Sequence, residues 1–389
     1  MRVWHSVLLA SAVALAAPVA SAQDALKISG LVSFSGPYAT HGEASRQGVE
    51  LAIAERGGKV LGKPIIVTWA DTETKPQVAV QHLTKALSEG VDIVFGGISS
   101  SETLAMMKPI EQKKVLHLVT SSSDNKITGE NKTRYTFRTS DTIELANRIV
   151  LQFVKDKKFK KLYAVASDVA VLRDPMVDLT NQVKKMGIEV AGADVMPLDA
   201  ADYSVVIDKM LKSGADGIVV YLGGGPAITF AKQASQVKLQ DKATIFGPVV
   251  MDEIQAAAVG DPAIGIYSVL RYQFEENNEA NKKFVAAFRQ KYNRWPNEIA
   301  GEAYDGMSWL LDVIEKSGSW DHEKWVAAFE DSVRDNSVQG RKVMRKCDHQ
   351  ATQVGLLGVV ARGAPPLPPY YMKIEKEYPA DVLFDACKS

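Results

Sequence analysis

Short apolar segments alternate with amphipathic ones along most of the chain, and this alternation constrains the fold more than any other feature. Segments such as LKISGLVSF, KPIIVTWAD and VDIVFGG are each followed by a run with apolar residues at helical spacing. Continuous apolar strands separated by amphipathic helices are typical of parallel sheets covered on both faces. The same rhythm returns in KLYAVAS, DGIVVYLGG and TIFGPVV. We therefore predict an α/β fold with two doubly wound parallel sheets.

The last third of the chain has a different pattern. Beyond residue 265 the sequence predicts longer helices, and from residue 338 it predicts short strands and a proline-rich segment, GAPPLPPYY. We interpret that segment as a rigid surface connection, with a ligand for a signalling domain as the alternative. A length of 389 residues also suits two domains better than a single core.

Residues 1–22 have the features of a secretory signal peptide. Arg2 precedes an apolar stretch, and Ala20-Ser21-Ala22 forms a small-residue cleavage site. We expect cleavage after Ala22 and export to the periplasm. A retained membrane anchor is the alternative, although the apolar stretch is short for a bilayer span.

Composition and cysteine content exclude several classes of function. Basic and acidic side chains balance at 46 each, so no nucleic-acid partner is indicated. The six histidines are scattered, and we expect no metal and no cofactor. The only cysteines are Cys347 and Cys387, which in an oxidising compartment are expected to form one disulfide that staples the C-terminal tail.

Two serine triplets follow two successive predicted strands. They are the first serine segment, Ser99–Ser101, and the second serine segment, Ser121–Ser123. Ligands of parallel α/β sheets collect where strands end and helices begin, and small residues there let backbone N–H groups approach an anion. The alternative is that Ser101 and Ser123 simply cap helices. Capping accounts for one serine in each segment, so we expect the two segments to form one anion site.

Several motifs together resemble a known family, the periplasmic type I solute-binding proteins of branched-chain amino acid ABC importers. The motifs include ISGLVSFSGPYATHGEASRQGVELAI, GGISSSET, LVTSSSDN, TFRTSDT and EAYDGMSWLLDVI, and they span nearly the whole exported part. The resemblance implies two lobes joined by a three-strand hinge. It places lobe 1 at 24–141 plus 273–354, and lobe 2 at 142–272 plus 355–389.

The resemblance also implies a set of ligand-binding residues in lobe 1. Ser99 and Ser100 occupy the place of a serine that contacts a ligand carboxylate, and the second serine segment completes that cradle. His41 is either a contact to the ligand side chain or a solvent-facing loop residue. Asp141 is a candidate acidic partner near the first crossing between lobes.

Four residues of lobe 2 depart from the amino-acid-binding pattern. Val249 stands at the position of an acidic residue in that pattern. Gly224 and Leu172 stand where tyrosines are expected, and Arg173 is an arginine that the pattern does not contain. Arg173 either pairs with a second anionic group or lies exposed beside Asp174. A buried ammonium without partners costs several kcal/mol, so we expect an aromatic or other organic acid as ligand. Amino acids or amides remain the alternative, because gaps could bring Asp252 or Glu253 into the site.

The resemblance implies a non-enzymatic, monomeric binding protein that captures a small-molecule carboxylate and delivers it to ABC permease and ATPase subunits. An enzyme is the second hypothesis, but neither G-x-S-x-G nor a phosphate-loop motif occurs. A ligand-sensing receptor module of the same fold is the third.

Overall fold

The first part of the described chain forms a six-stranded sheet with covering helices. The structure is a computed structural model that describes residues 24–387, so the predicted signal peptide lies outside the described residues. In chain order the elements are β1 (Leu26–Val32), α1 (Ala39–Glu55), β2 (Lys59–Val60), β3 (Lys63–Asp71), α2 (Pro76–Ser88), β4 (Ile93–Gly96), α3 (Ser100–Lys113), β5 (Leu116–Val119) and β6 (Thr136–Arg138). The strand order is β2-β3-β1-β4-β5-β6, and only the β2–β3 hairpin is antiparallel.

The second part builds most of a seven-stranded sheet. Its elements are α4 (Ile143–Lys157), β7 (Lys161–Ser167), α5 (Ala170–Lys185), β8 (Glu189–Met196), α6 (Ser204–Ser213), β9 (Gly217–Tyr221), α7 (Gly225–Gln236), β10 (Thr244–Gly247), α8 (Glu253–Val259) and β11 (Tyr267–Leu270). These five strands pair in parallel.

The remaining elements serve both parts. They are α9 (Glu279–Tyr292), α10 (Glu298–Ser317), α11 (His322–Phe329), β12 (Val333–Arg334), β13 (Lys342–Met344), β14 (Ala351–Thr352), β15 (Gly355–Arg362), β16 (Tyr370–Tyr378) and α12 (Ala380–Leu383). Helix α10 packs along α1, while β12, β13 and β14 form a small sheet of their own.

The α/β prediction is confirmed, but the second sheet is mixed rather than parallel throughout. Its strand order is β16-β15-β11-β10-β9-β7-β8, and β15 is antiparallel to both β11 and β16. The proline-rich residues 363–369 form the loop between β15 and β16. A loop this short joins antiparallel neighbours, because a parallel pair needs a crossover of a dozen or more residues.

Burial explains why these segments form strands. Strands β4, β5 and β9 are buried at every position, as expected for central strands covered on both faces. Edge strand β8 instead alternates exposed and half-buried residues, because one of its faces meets solvent. One apolar core surrounds Phe95 and Leu118 of the first sheet, and another surrounds Val165 and Val220 of the second.

The chain passes between the two sheets three times, through residues 139–142, 271–278 and 353–354. The first passage directly follows β6, and the second directly follows β11. Each therefore begins at the carboxyl end of a parallel strand, which is where open α/β sheets bind ligands.

Candidate functional site

The two serine segments lie side by side, because they follow the neighbouring parallel strands β4 and β5. The backbone N–H of Asp124 donates a hydrogen bond to Ser100 Oγ at 3.1 Å. The Ser122 hydroxyl donates to the Gly97 carbonyl at 2.7 Å. These two hydrogen bonds join the segments at the carboxyl ends of β4 and β5.

The residues that cap the two helices differ from Ser101 and Ser123, the capping residues of the alternative interpretation. Helix α3 begins after Ser99, whose backbone N–H donates to the Glu102 carboxylate at 2.9 Å. The short helical turn that follows the second serine segment is capped by Asp124, which accepts from Lys126 N at 2.9 Å. Ser101 and Ser123 are therefore not the capping residues.

Ser122 is committed to the interior of the protein. It is buried, and its hydroxyl lies 2.7 Å from Thr103 Oγ1 as well as from the Gly97 carbonyl. Ser100 is only half-buried, and accepting from Asp124 leaves its own proton free for an outside acceptor. Of these two hydroxyls, Ser100 is the one that a ligand can use.

We expect Ser122→Ala to lower the free energy of unfolding by about 1 kcal/mol, because a buried carbonyl loses a donor. Urea denaturation would measure this loss. Ser101→Ala is the matched control, since Ser101 is exposed and contacts only the Ser99 hydroxyl at 2.8 Å. An unchanged unfolding midpoint for Ser122→Ala would contradict the structural role.

Arg271, which the sequence analysis missed, lies at the second serine segment. It follows β11, and its Nη1 donates to the Ser121 carbonyl at 2.5 Å. Nη1 also lies 3.6 Å from Glu302 Oε2, and the arginine side chain is 15% exposed. The sequence signal that could have identified Arg271 was the segment SVLR, in which a charged residue directly follows a buried strand. The guanidinium supplies a buried positive charge beside the predicted anion cradle.

Buried carboxyl groups surround Arg271 on the side of lobe 1. Glu302 is fully buried, and neither of its carboxylate oxygens makes a hydrogen bond. Asp141 is also buried, and its Oδ2 atom makes no hydrogen bond. Burial raises the pKa of Asp141 and of Glu298 to about 7, against the opposing effect of Arg271. Burial also raises the pKa of Glu302 well above its usual range. The raised pKa values favour the neutral forms of these carboxyl groups beside the Arg271 guanidinium.

Across the cleft, Asp252 faces His41. The Asp252 carboxylate lies 3.8 Å from His41 Nε2, and the histidine side chain is 19% exposed, which removes the solvent-facing alternative. The Tyr38 ring stands edge-on to His41 at 5.5 Å. Burial lowers the pKa of His41, which favours the neutral form of the imidazole. His41 and Asp252 meet as a contact between the two lobes.

Val249 stands at the acidic position of the amino-acid-binding pattern, and an acidic residue lies close to it in the sequence. Asp252, three residues further on, begins α8 and accepts from Gln255 N at 2.6 Å. Its neighbour Glu253 accepts from Gln273 Nε2 at 2.9 Å, and burial raises its pKa well above the usual range.

The other lobe 2 candidates are less directly connected to the cleft. Leu172 packs against the core around α4. Arg173 is 42% exposed and pairs with Asp168 at 2.6 Å and with Asp174 at 3.1 Å, so the exposed alternative describes it. Gly224 precedes α7 with a positive φ of 61°, and a Cβ there would meet no atom within 4 Å.

Cys347 and Cys387 form a disulfide with their Cα atoms 5.9 Å apart. Within residues 24–387, no three histidine, cysteine or acidic side chains are grouped to hold a metal ion. In the same range, none of the helices is both long enough and apolar enough to cross a membrane.

The sequence profile of the periplasmic binding protein family matches residues 25–364. The chain belongs to this family. The family comprises ligand-binding proteins of transporters, and its name implies a periplasmic location.

Relatives and solved structures agree with the family assignment. The chain is 29% identical to Leu/Ile/Val-binding protein homolog 6 of Brucella abortus, over 80% of this chain and 81% of that protein. It is also 29% identical to the leucine-, isoleucine-, valine-, threonine-, and alanine-binding protein of Pseudomonas aeruginosa, over 81% and 84%. An ABC transporter solute-binding protein from R. palustris, in complex with 4-hydroxybenzoate, superposes with a TM-score of 0.83 at 25% identity, covering 92% of this chain and 98% of that one. The fold of this periplasmic binding protein is therefore the type I fold.

Proposed function

We propose that this periplasmic binding protein captures a small carboxylate and delivers it to the permease and ATPase subunits of an ABC importer. It would act as a monomer, without a cofactor and without catalysis, after cleavage behind Ala22. The lobe boundaries, 24–141 plus 273–354 and 142–272 plus 355–389, belong to the same proposal. The observation that carries the proposal is the contact between Arg271 and the Ser121 carbonyl, which brings a buried cation to the serine segments.

The ligand carboxylate would lie over the two serine segments. Ser99 and Ser100 at the start of α3, with the backbone of Ser121–Ser123, offer hydrogen-bond donors, and Arg271 offers charge. Charge-assisted hydrogen bonds of this kind are about twice as strong as neutral ones. Closing the lobes would bring His41 and Asp252 together and exclude water, and the transporter would recognise that closed form.

An aromatic or other organic acid is the favoured ligand class. Burial raises the pKa of Glu302 well above its usual range, which favours the neutral carboxyl beside Arg271 and leaves the guanidinium charge to a ligand anion. Gly224 leaves open space, and Val249 is apolar and half-buried beside Gly223. The R. palustris protein with 4-hydroxybenzoate supports a ligand of this class.

A branched-chain or related amino acid is the second candidate, and Asp252 is the observation that favours it. Its carboxylate lies 3.8 Å from His41 Nε2, where it could accept hydrogen bonds from a ligand ammonium. The relatives from Brucella abortus and Pseudomonas aeruginosa are named for leucine, isoleucine and valine. Amides fit the same position.

A thermal-shift screen of benzoates, aliphatic and keto acids, amino acids and amides tests the proposal. A ligand at 100 times its dissociation constant stabilises the folded state by about 2.7 kcal/mol, which is readily detected. Stabilisation by leucine that is lost in Asp252→Asn would select the second candidate over organic acids. Stabilisation by none of these compounds would contradict a carboxylate ligand.

Ser100→Ala should weaken binding of the carboxylate found in that screen by about ten- to a hundredfold, because one hydrogen bond to a charged group contributes about 1.5–3 kcal/mol. Titration calorimetry would measure the affinity. Ser88→Ala, at the exposed end of α2, is the matched control. The ligand-free melting temperature of Ser100→Ala is measured separately, because this variant also loses the hydrogen bond from Asp124 N–H. Equal affinities for the two variants would place the carboxylate elsewhere.

Affinity for an organic acid should rise as the pH falls from 8 to 6. A bound anion beside Glu298 and Asp141 raises their pKa further above the value of about 7, so the complex holds more protons than the free protein. The gain is at most about tenfold per pH unit for each proton taken up, and it is lost as the pH rises above that range.

Calorimetry in buffers of different ionisation enthalpy would count the protons directly. Glu298→Gln should flatten the pH profile, whereas Glu279→Gln, an exposed residue at the start of α9, should leave it unchanged. Binding of benzoate without net proton uptake would contradict the linkage.

A further inference from the structure

The C-terminal tail, residues 379–387, is anchored at one end to lobe 2. Within the tail, α12 packs on α4, and Leu383 is buried against Leu145 and Ile149 of that helix. Arg148, also on α4, donates from Nη1 to the Leu383 carbonyl at 2.9 Å. This end therefore moves with the seven-stranded sheet.

The other end of the tail is bonded to lobe 1. Cys387 forms the disulfide with Cys347, which lies in the turn between β13 and β14. That turn is fixed to the first sheet, because Lys132 Nζ donates to the Cys347 carbonyl at 2.9 Å. The ring of His349, in the same turn, stacks on Phe137 of β6 with centroids 4.1 Å apart.

Polar contacts join the same two bodies through one residue of the tail. Arg148 Nη2 of lobe 2 donates to Asp385 Oδ2 at 2.6 Å, and Arg345 Nη1 of lobe 1 donates to the Asp385 carbonyl at 3.0 Å. Arg345 also lies over the Phe384 ring at 5.8 Å. A pocket of about 170 Å³ separates the tail from Arg138 and Thr142, at the first passage between the sheets.

We propose that the C-terminal tail is a fourth, covalent connection between the lobes and that it limits their rotation about the hinge. The inference rests on the two-lobe part of the proposed function and not on the ligand. Hinges work because a few loop residues absorb the change in backbone angles, and the three peptide passages provide such residues. The tail adds a restraint of a different kind, because the four residues from Phe384 to Cys387 span at most about 14 Å. The disulfide adds 5.9 Å between the Cα atoms of Cys387 and Cys347. Any rotation that would carry Cys347 more than about 20 Å from Leu383 is therefore blocked while the disulfide is intact.

Distances between the lobes test the proposal without any ligand. Spin labels at Lys75→Cys, at the start of α2, and at Asp199→Cys, just after β8, report the distance between the exposed ends of the two sheets. Pulsed electron resonance on the otherwise unaltered chain is compared with the Cys347→Ser/Cys387→Ser variant. We expect a wider distribution of distances when the disulfide is absent.

A second variant keeps the disulfide and removes only the restraint. Six Gly/Ser residues inserted between Leu383 and Phe384 lengthen the tail, and we expect the same widening as in the double serine variant. This variant also answers the question if the double serine variant does not fold. Unchanged distributions in the insertion variant would overturn the tether. A failure of the ligand screen would contradict the proposed function and leave these distances unaffected.

Discussion

Arg271→Gln should lower the free energy of unfolding by about 3–5 kcal/mol at pH 8 and abolish binding of organic acids. Arg271 lies 3.6 Å from Glu302, and it opposes the raised pKa of Glu298 and of Asp141. With pKa values of about 7, Asp141 and Glu298 carry charge at pH 8, and removal of Arg271 leaves that buried charge uncompensated.

The loss should be smaller at pH 5.5 than at pH 8. Without the guanidinium the neighbouring carboxyl pKa values rise further, so these groups become neutral at low pH and the unpaired charge disappears. Urea denaturation at both pH values would measure the difference. Arg173→Gln is the matched control and should leave the midpoint unchanged, because Arg173 is exposed beside Asp168 and Asp174.

A paired substitution separates stability from function. Arg271→Met combined with Glu302→Met removes both members of this 3.6 Å contact, and apolar replacement of both buried partners is often neutral or stabilising. We therefore expect the double variant to recover much of the lost stability while still failing to bind a carboxylate. An equal loss at pH 5.5 and pH 8 in Arg271→Gln would contradict the charge argument.

Local patterns in the sequence were sufficient to predict the two sheets and the meeting of the serine segments. Both depend on short-range signals: apolar runs of strand length, helical spacing, and the rule that neighbouring parallel strands end at one edge. The role of Ser122 was not predictable in this way. Its hydroxyl donates to the carbonyl of Gly97, which has a positive φ of 79°. A Cβ atom at Gly97 would lie only 2.0 Å from Thr103 Oγ1, so the backbone packs closely here.

The residues that sequence reasoning missed are those whose position depends on long-range geometry. Arg271 reaches Ser121 across 150 positions of sequence, through the second passage between the lobes. Asp252 was named from the sequence only as an alternative to Val249, and its place 3.8 Å from His41 depends on how elements of the two sheets meet. Loop conformations of this kind are not encoded by periodicity, so an ungapped comparison does not fix the positions of such residues.

Loss of the disulfide in Cys347→Ser/Cys387→Ser should lower the free energy of unfolding by about 4 kcal/mol. The two cysteines are 40 residues apart, and the loss follows from the conformational entropy that the unfolded chain regains when a loop of that length is opened. Denaturant titration of the ligand-free protein would measure it, and the unaltered protein with a reductant should give the same midpoint. A change below about 1 kcal/mol would contradict the chain-entropy account.

The inserted Gly/Ser variant should behave differently from the double serine variant in this measurement. Lengthening a closed loop from 40 to about 46 residues changes its closure entropy by only about 0.1 kcal/mol. We therefore expect nearly full stability together with a wide distribution of distances between the lobes. The free energy of unfolding depends on the disulfide, which restricts the unfolded chain. The limit on lobe rotation depends instead on the length of the tail in the folded protein. An insertion variant as unstable as the double serine variant would instead mean that the tail stabilises the protein through its packing on α4.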